Sequence, residues 1–199
     1  MTASEGGTVL IVDDDREVVH TYRRYLEDMH TIREAYDGEG ALEALDDDVD
    51  IVLLDRLMPG VSGGEVLDRI RDRGYDVRVA MVTAVDPDFD IVDMGFDDYV
   101  TKPTTRTELR QTVEDLLALD QHATDVREYH SLLVKAAALR DGKSTYELDE
   151  NPSYSELKAR LSDLEATLES ESGRLADDSR FVATLRAIDT SMSQEETDG

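Results

Sequence analysis

Asp55 closes the apolar run IVLLD (51–55) and is followed by a turn through Pro59 and Gly60. Two other short segments carry complementary chemistry. TVLIVDDD (8–15) ends in acids, and YVTKP (99–103) ends in a lysine before a proline. Acids, a further carboxylate and an ammonium, each at the end of an extended apolar stretch, are what phosphoryl transfer to a carboxylate requires. The transferred group spreads charge over three equatorial oxygens, so cations and donors in fixed places supply most of the catalysis. Asp55 is the expected nucleophile. Asp13 and Asp14, with Asp55, offer hard oxygen ligands suited to Mg²⁺, and the backbone carbonyl of Leu57 would add another. Lys102 would neutralise a second phosphoryl oxygen, and the Thr83 hydroxyl would hydrogen-bond a third.

Such a site needs elements that bring these ends together. Strand and helix signals alternate from residue 8 to about 118, with strands read at 8–12, 31–36, 51–55, 77–83 and 98–100. The first, third and fourth are nearly continuous apolar runs, as expected when both faces of a parallel sheet are covered. Helical patterns fall at 16–29, 38–45, 64–73 and, less clearly, 87–95. A fifth helix opens at Thr105, where Thr105 and Glu108 form a T-x-x-E capping box. Five βα units make a doubly wound α/β domain. In such a sheet the strand C-termini share one edge, where ligands bind, and Asp13, Asp14, Asp55, Thr83 and Lys102 all fall there.

From about residue 120 no strand signal follows. Residues 125–143 show apolar positions at 126, 129, 133 and 136, and Leu157, Leu161, Leu164 and Leu168 recur at coiled-coil spacing. Ser153 and Glu156 are read as the capping box that starts this second helix. A helical hairpin is expected, the leucine stripe being its core rather than a partner seam. A weak helix at 180–188 precedes a polar tail read as disordered. The expected division is 7–120, 121–190 for the helical part, and 191–199 for the tail.

Composition sets outer bounds. Among 199 residues there is no cysteine, so disulfides and thiolate metal sites are excluded. No signal peptide and no apolar run of bilayer length is seen, and a cytoplasmic setting is expected. The formal charge is −26, and only four basic residues are lysines (Lys102, Lys135, Lys143, Lys158), the rest being arginine. A surface this acidic suits molar salt, where screening removes self-repulsion, and suggests a halophilic archaeon. The charge is −18 over residues 1–120 and −8 over 121–199, which gives nucleic acid no basic face. Asp15 reads as a solvated extra acid, and His20, His30, His122 and His130 lack ligand spacing.

Taken in order, D-D after the first strand, D-x-x-M-P-G after the third, T-A after the fourth and Y-x-x-K-P at the fifth resemble a two-component response-regulator receiver domain over about residues 7–120. The resemblance implies a flavodoxin-like five-stranded sheet in 2-1-3-4-5 order. It implies that Asp55 is the phosphoacceptor, Asp13 and Asp14 the Mg²⁺ pair, Thr83 the switch hydroxyl, Tyr99 the switch aromatic and Lys102 the site lysine. Arg56 departs from the small or apolar residue often found after the acceptor. The acidic helical part resembles the HalX domain of haloarchaeal regulators.

The expected function is a phosphorylation-controlled switch rather than a turnover enzyme, with self-dephosphorylation as its only hydrolytic chemistry. A sensor histidine kinase is the expected donor. Output is expected through protein contact, homodimerisation among the options, and no membrane is involved. Two other readings compete. A transcription factor binding DNA through 121–199 would want a basic helix, which is absent. A haloacid-dehalogenase-type phosphatase could use Asp13 and Asp15 as a D-x-D pair, but Arg16 stands where that family wants Thr or Val.

Overall fold

The computed structural model describes residues 6–119 and 124–171. Five strands, β1 (Thr8–Val12), β2 (Thr31–Ala35), β3 (Ile51–Leu54), β4 (Arg78–Thr83) and β5 (Asp98–Thr101), pair in parallel in the order β2-β1-β3-β4-β5. Four helices belong with them: α1 (Arg16–Leu26), α2 (Gly38–Ala44), α3 (Gly63–Asp72) and α4 (Arg106–Leu119). α1 packs beside α4, and α2 beside α3. Right-handed crossovers put those two pairs on opposite faces of the sheet. β3 is therefore buried at every position, as are β4 and four of the five residues of β1. Sheet burial on both faces is the physical reason for their continuous apolar sequences.

Local signals stop and start the helices. Asp37 caps α2 through a bond from the Gly40 amide, and Ser62 and Glu65 form a reciprocal capping box on α3. The expected box at α4 is present: the Glu108 amide donates to the Thr105 hydroxyl at 3.2 Å, and the Thr105 amide to the Glu108 carboxylate at 2.8 Å. Leu109, Val113 and Leu116 of α4 are fully buried at helical spacing.

The helix expected over 87–95 does not form. A 3₁₀ turn, Phe89–Asp93, takes its place, and Ile91 is the one buried side chain in it. With three of its neighbours acidic and a single apolar anchor, the segment has too little packing to propagate a longer helix.

By contacts the chain divides into two compact units. One holds the sheet and α1–α4. The other consists of Pro87–Val92 together with three helices, α5 (Thr124–Gly142), α6 (Thr145–Glu150) and α7 (Pro152–Glu171). In this second unit α5 and α7 form the expected hairpin: Val126, Tyr129 and Leu168 are buried together, with Leu133, Leu161 and Leu164 packed against them. The leucine stripe is thus hairpin core. Two expectations need correction. The stretch between 143 and Pro152, for which no helix is expected, contains α6, capped by a Ser144–Glu147 box. α7 starts at Pro152 rather than on a Ser153–Glu156 box, because the Asn151 side chain accepts from the Ser153 and Tyr154 amides and Pro152 supplies a preset φ at the first turn. The helix read at 180–188 and the polar tail lie outside the described residues. No helix among the described residues is long and apolar enough to cross a membrane.

Candidate functional site

The strand ends are stitched together at one rim by backbone bonds. The Asp13 amide donates to the Ala35 carbonyl at 3.2 Å, Asp55 to Val12 at 2.9 Å and Lys102 to Thr83 at 2.8 Å. Each site residue is therefore the first or second residue beyond a paired strand position or, for Thr83, the last of its strand. That register brings five of the expected side chains to neighbouring places.

Asp13, Asp14 and Asp55 each present a carboxylate oxygen within 4.8 Å of the others. Asp13 and Asp55 are buried, at 3% and 6% exposure, whereas Asp14 faces solvent. Lys102 answers the two buried acids, its Nζ standing 2.5 Å from Asp13 and 3.0 Å from Asp55. Burial pushes the Asp13 carboxyl above its ordinary value, although the Lys102 bond and the Asp15 amide pull the other way. Burial lowers the Lys102 ammonium, but its bonds to Asp13 and Asp55 outweigh this and leave its pKa raised. Three acids against one ammonium leave negative charge in a partly desolvated place. Hard oxygens, close spacing and one exposed ligand suit a small divalent cation that keeps several waters.

Thr83 is buried at the end of β4, and its Oγ1 accepts from the Val85 amide at 3.3 Å. Tyr99 donates its hydroxyl to the Val85 carbonyl at 2.6 Å, and its ring lies 5.7 Å from Phe96. Leu57 sits in the turn after Asp55 with its side chain 64% exposed. Arg56 is half-buried, and its carbonyl accepts from the Gly63 amide. The Lys102–Pro103 peptide is cis.

Three contributors were not recognised from the sequence. Asp15 is no idle acid: its side chain accepts from the Glu17 amide at 2.9 Å and caps α1. That use takes it out of any D-x-D nucleophile pair. The signal was an aspartate directly before a helical pattern. Gly63 packs so closely on the acceptor loop that a Cβ there would stand 2.0 Å from the Asp55 carbonyl oxygen. Val85, which bonds both Thr83 and Tyr99, acts through backbone atoms alone and leaves no trace in residue type.

Residues 9–114 match the family described as response regulator receiver domain, and residues 118–185 match the HalX domain. A Haloferax volcanii protein named as a transcriptional regulator is 43% identical over 194 residues, which is 95% of this chain and 33% of that protein. The transcriptional regulatory protein CpxR of Escherichia coli K12 is 33% identical, covering 71% of this chain and 64% of its own. The chain thus spans about a third of the first relative and under two thirds of the second. Among solved structures, a chain of the CheX–CheY–BeF₃–Mg complex from Borrelia burgdorferi shares 28% identity at TM-score 0.53, covering 56% of this chain and 89% of that one. The signal receiver domain of a LuxO repressor protein from Vibrio parahaemolyticus shares 25% at TM-score 0.54, over 58% of this chain and 93% of its own.

Proposed function

The chain belongs to the two-component response regulators, a receiver domain followed by a HalX domain, and on that footing we propose that Asp55 receives a phosphoryl group from a sensor histidine kinase. The observation that carries this is the single cation, Lys102, bridging Asp13 and Asp55 beside an exposed third carboxylate.

An Asp55 carboxylate oxygen attacks the phosphorus of the donor phosphohistidine. The P–N bond breaks with its electron pair going to the imidazole, and an acyl phosphate forms on Asp55. Mg²⁺ held by Asp13, Asp14 and Asp55, with the Leu57 carbonyl as a further ligand, would offset the charge of the incoming phosphoryl oxygens. Lys102, already 3.0 Å from Asp55, moves its ammonium onto a phosphoryl oxygen. The Thr83 hydroxyl turns from the Val85 amide toward another. Self-dephosphorylation by water is the only turnover this arrangement implies.

Tyr99 follows, because its hydroxyl and that of Thr83 share Val85 as partner. The message then passes to the helical part, residues 121–190. Relatives named as transcriptional regulators make a transcription-linked output the second reading. With −8 over residues 121–199, a protein partner fits better than DNA. The bounds of the phosphoacceptor part, 7–120, a cytoplasmic location and Mg²⁺ as the resident ion belong to the same proposal.

Acetyl phosphate with Mg²⁺ should add one phosphoryl group to the wild-type chain and none to Asp55→Asn. Labelling that persists in the variant would refute the assignment, and a gel shift that weakens with salt would favour the DNA-binding output.

A further inference from the structure

Three consecutive acids follow β1, and each has a different environment. Asp13 is buried, Asp14 faces solvent beside it, and Asp15 caps α1. A straight continuation of the strand would send neighbouring side chains to opposite faces. For Asp13 and Asp14 to serve one cation, the chain must leave the strand at once and hold its new direction.

The Asp13 amide still pairs with the Ala35 carbonyl across the sheet, at 3.2 Å. Two residues on, the Asp15 carbonyl accepts from the Val19 amide at 3.1 Å and opens α1. Asp15 is extended, with φ −81° and ψ 102°, and its carboxylate accepts from the Glu17 amide at 2.9 Å. With side chain and carbonyl both committed to the first helical turn, the direction of its own N–H is fixed. That N–H donates to Asp13 Oδ1 at 3.0 Å. α1 is in turn anchored in the core by Val19, Tyr22 and Leu26.

Asp13 is thus held at both oxygens, Oδ1 by the Asp15 amide and Oδ2 by the Lys102 ammonium at 2.5 Å. The two holds differ in permanence. Lys102 carries its charge on a flexible stem, also reaches Asp55, and turns to the incoming group in phosphoryl transfer. The amide belongs to backbone pinned by the cap. Once Lys102 has turned away, the Asp15 amide keeps the Asp13 carboxylate in register with Asp14 and Asp55.

We propose that Asp15 is a positioning residue for the metal site: by capping α1 it fixes the amide that orients Asp13, and so preforms the acid cluster for Mg²⁺. This rests on the Mg²⁺-assisted Asp55 reading and deepens it. Asp15 acts through Asp13 rather than on the ion, and its own charge, exposed to solvent, is screened in salt. What matters is an oxygen that accepts the Glu17 N–H, which an asparagine side chain also supplies and an alanine lacks. Groups that orient a metal ligand without touching the metal commonly carry roughly 10- to 100-fold in affinity.

The test titrates Mg²⁺ alone into the full chain by calorimetry at constant, high ionic strength, and counts as specific the uptake that Asp14→Asn lacks. Asp15→Ala is expected to need about tenfold more Mg²⁺ for half-saturation. Asp15→Asn, which keeps the cap, should stay within about twofold of wild type. A cap that served the helix alone would lower stability in Asp15→Ala without moving the Mg²⁺ midpoint. Asp15→Gly removes the same oxygen at little cost to the helix, and it should bind as weakly as Asp15→Ala, so the result does not hang on one variant folding. Asp15→Ala and Asp15→Gly that take up Mg²⁺ like wild type would overturn the positioning role. So would Asp15→Asn weakened as much as Asp15→Ala, since charge rather than the cap would then be responsible. Wild type with no uptake beyond that of Asp14→Asn would instead overturn the metal reading, and this inference with it.

Discussion

Tyr99 and Val85 are joined by a 2.6 Å hydrogen bond from phenol to backbone carbonyl, across the loop that follows the Thr83 strand. Because the amide of the same Val85 donates to Thr83, one peptide segment is tied to two hydroxyls on neighbouring strands. Tyr99→Phe removes one tie and keeps the ring against Phe96. Stability should fall by about 1 kcal/mol, the usual net worth of such a bond. Phosphoryl uptake should change less than twofold, roughly 0.4 kcal/mol, while hydrogen exchange at 84–88 becomes high in both states. Denaturant unfolding and exchange would show it.

Gly63→Ala should cost about 3 kcal/mol by overpacking, since its Cβ would stand 2.0 Å from the Asp55 carbonyl oxygen. The added methyl must displace backbone directly attached to the acceptor, so phosphoryl uptake should fall along with the midpoint of urea unfolding. A variant with wild-type stability would contradict the close approach.

Much of this was legible in the residues. β1, β3 and β4 are recognisable because burial on both faces demands unbroken apolar runs, and their polar end residues stand out against them. The parallel register then carries Asp13, Asp55 and Thr83 to one rim without further information. What was missed depends on distant partners or on backbone atoms. Gly63 looks like any turn glycine until the Asp55 carbonyl is placed against it. The 87–95 stretch has weak helical spacing, and with Ile91 as its one buried side chain it packs too little to hold more than a 3₁₀ turn. Asn151 displaced Ser153 as cap because Pro152 already fixes the first turn.

Mg²⁺ should raise the unfolding temperature at constant ionic strength, because an ion that binds only the folded state stabilises it by mass action. Asp14→Asn should abolish that shift while leaving the metal-free protein intact, since Asp14 is exposed and its oxygen completes the acid cluster. Thermal scans with Mg²⁺ and with chelator, in matched salt, separate specific binding from general screening. An equal shift in the variant would place the ion elsewhere.

Asp98 supplies a pH signature apart from the site. Burial pushes its carboxyl up to about 6, with Asp115 and Asp97 adding to the effect. An unfolded aspartate titrates near ~3.9. Between those values the folded state keeps a proton that the unfolded state has lost, so stability declines as pH rises through this window and levels off above it. Asp98→Asn should flatten the decline and be about 2 kcal/mol more stable at neutral pH. Chemical denaturation at several pH values checks the slope.

The most direct measurement is borohydride trapping after acetyl phosphate and Mg²⁺, followed by peptide mapping. An acyl phosphate on Asp55 is reduced to homoserine, so the expected result is that conversion at position 55 alone, lost when Mg²⁺ is omitted. Homoserine at Asp13 or Asp14, or none at any position in a folded protein, would contradict the assignment of Asp55 as the residue that carries the signal.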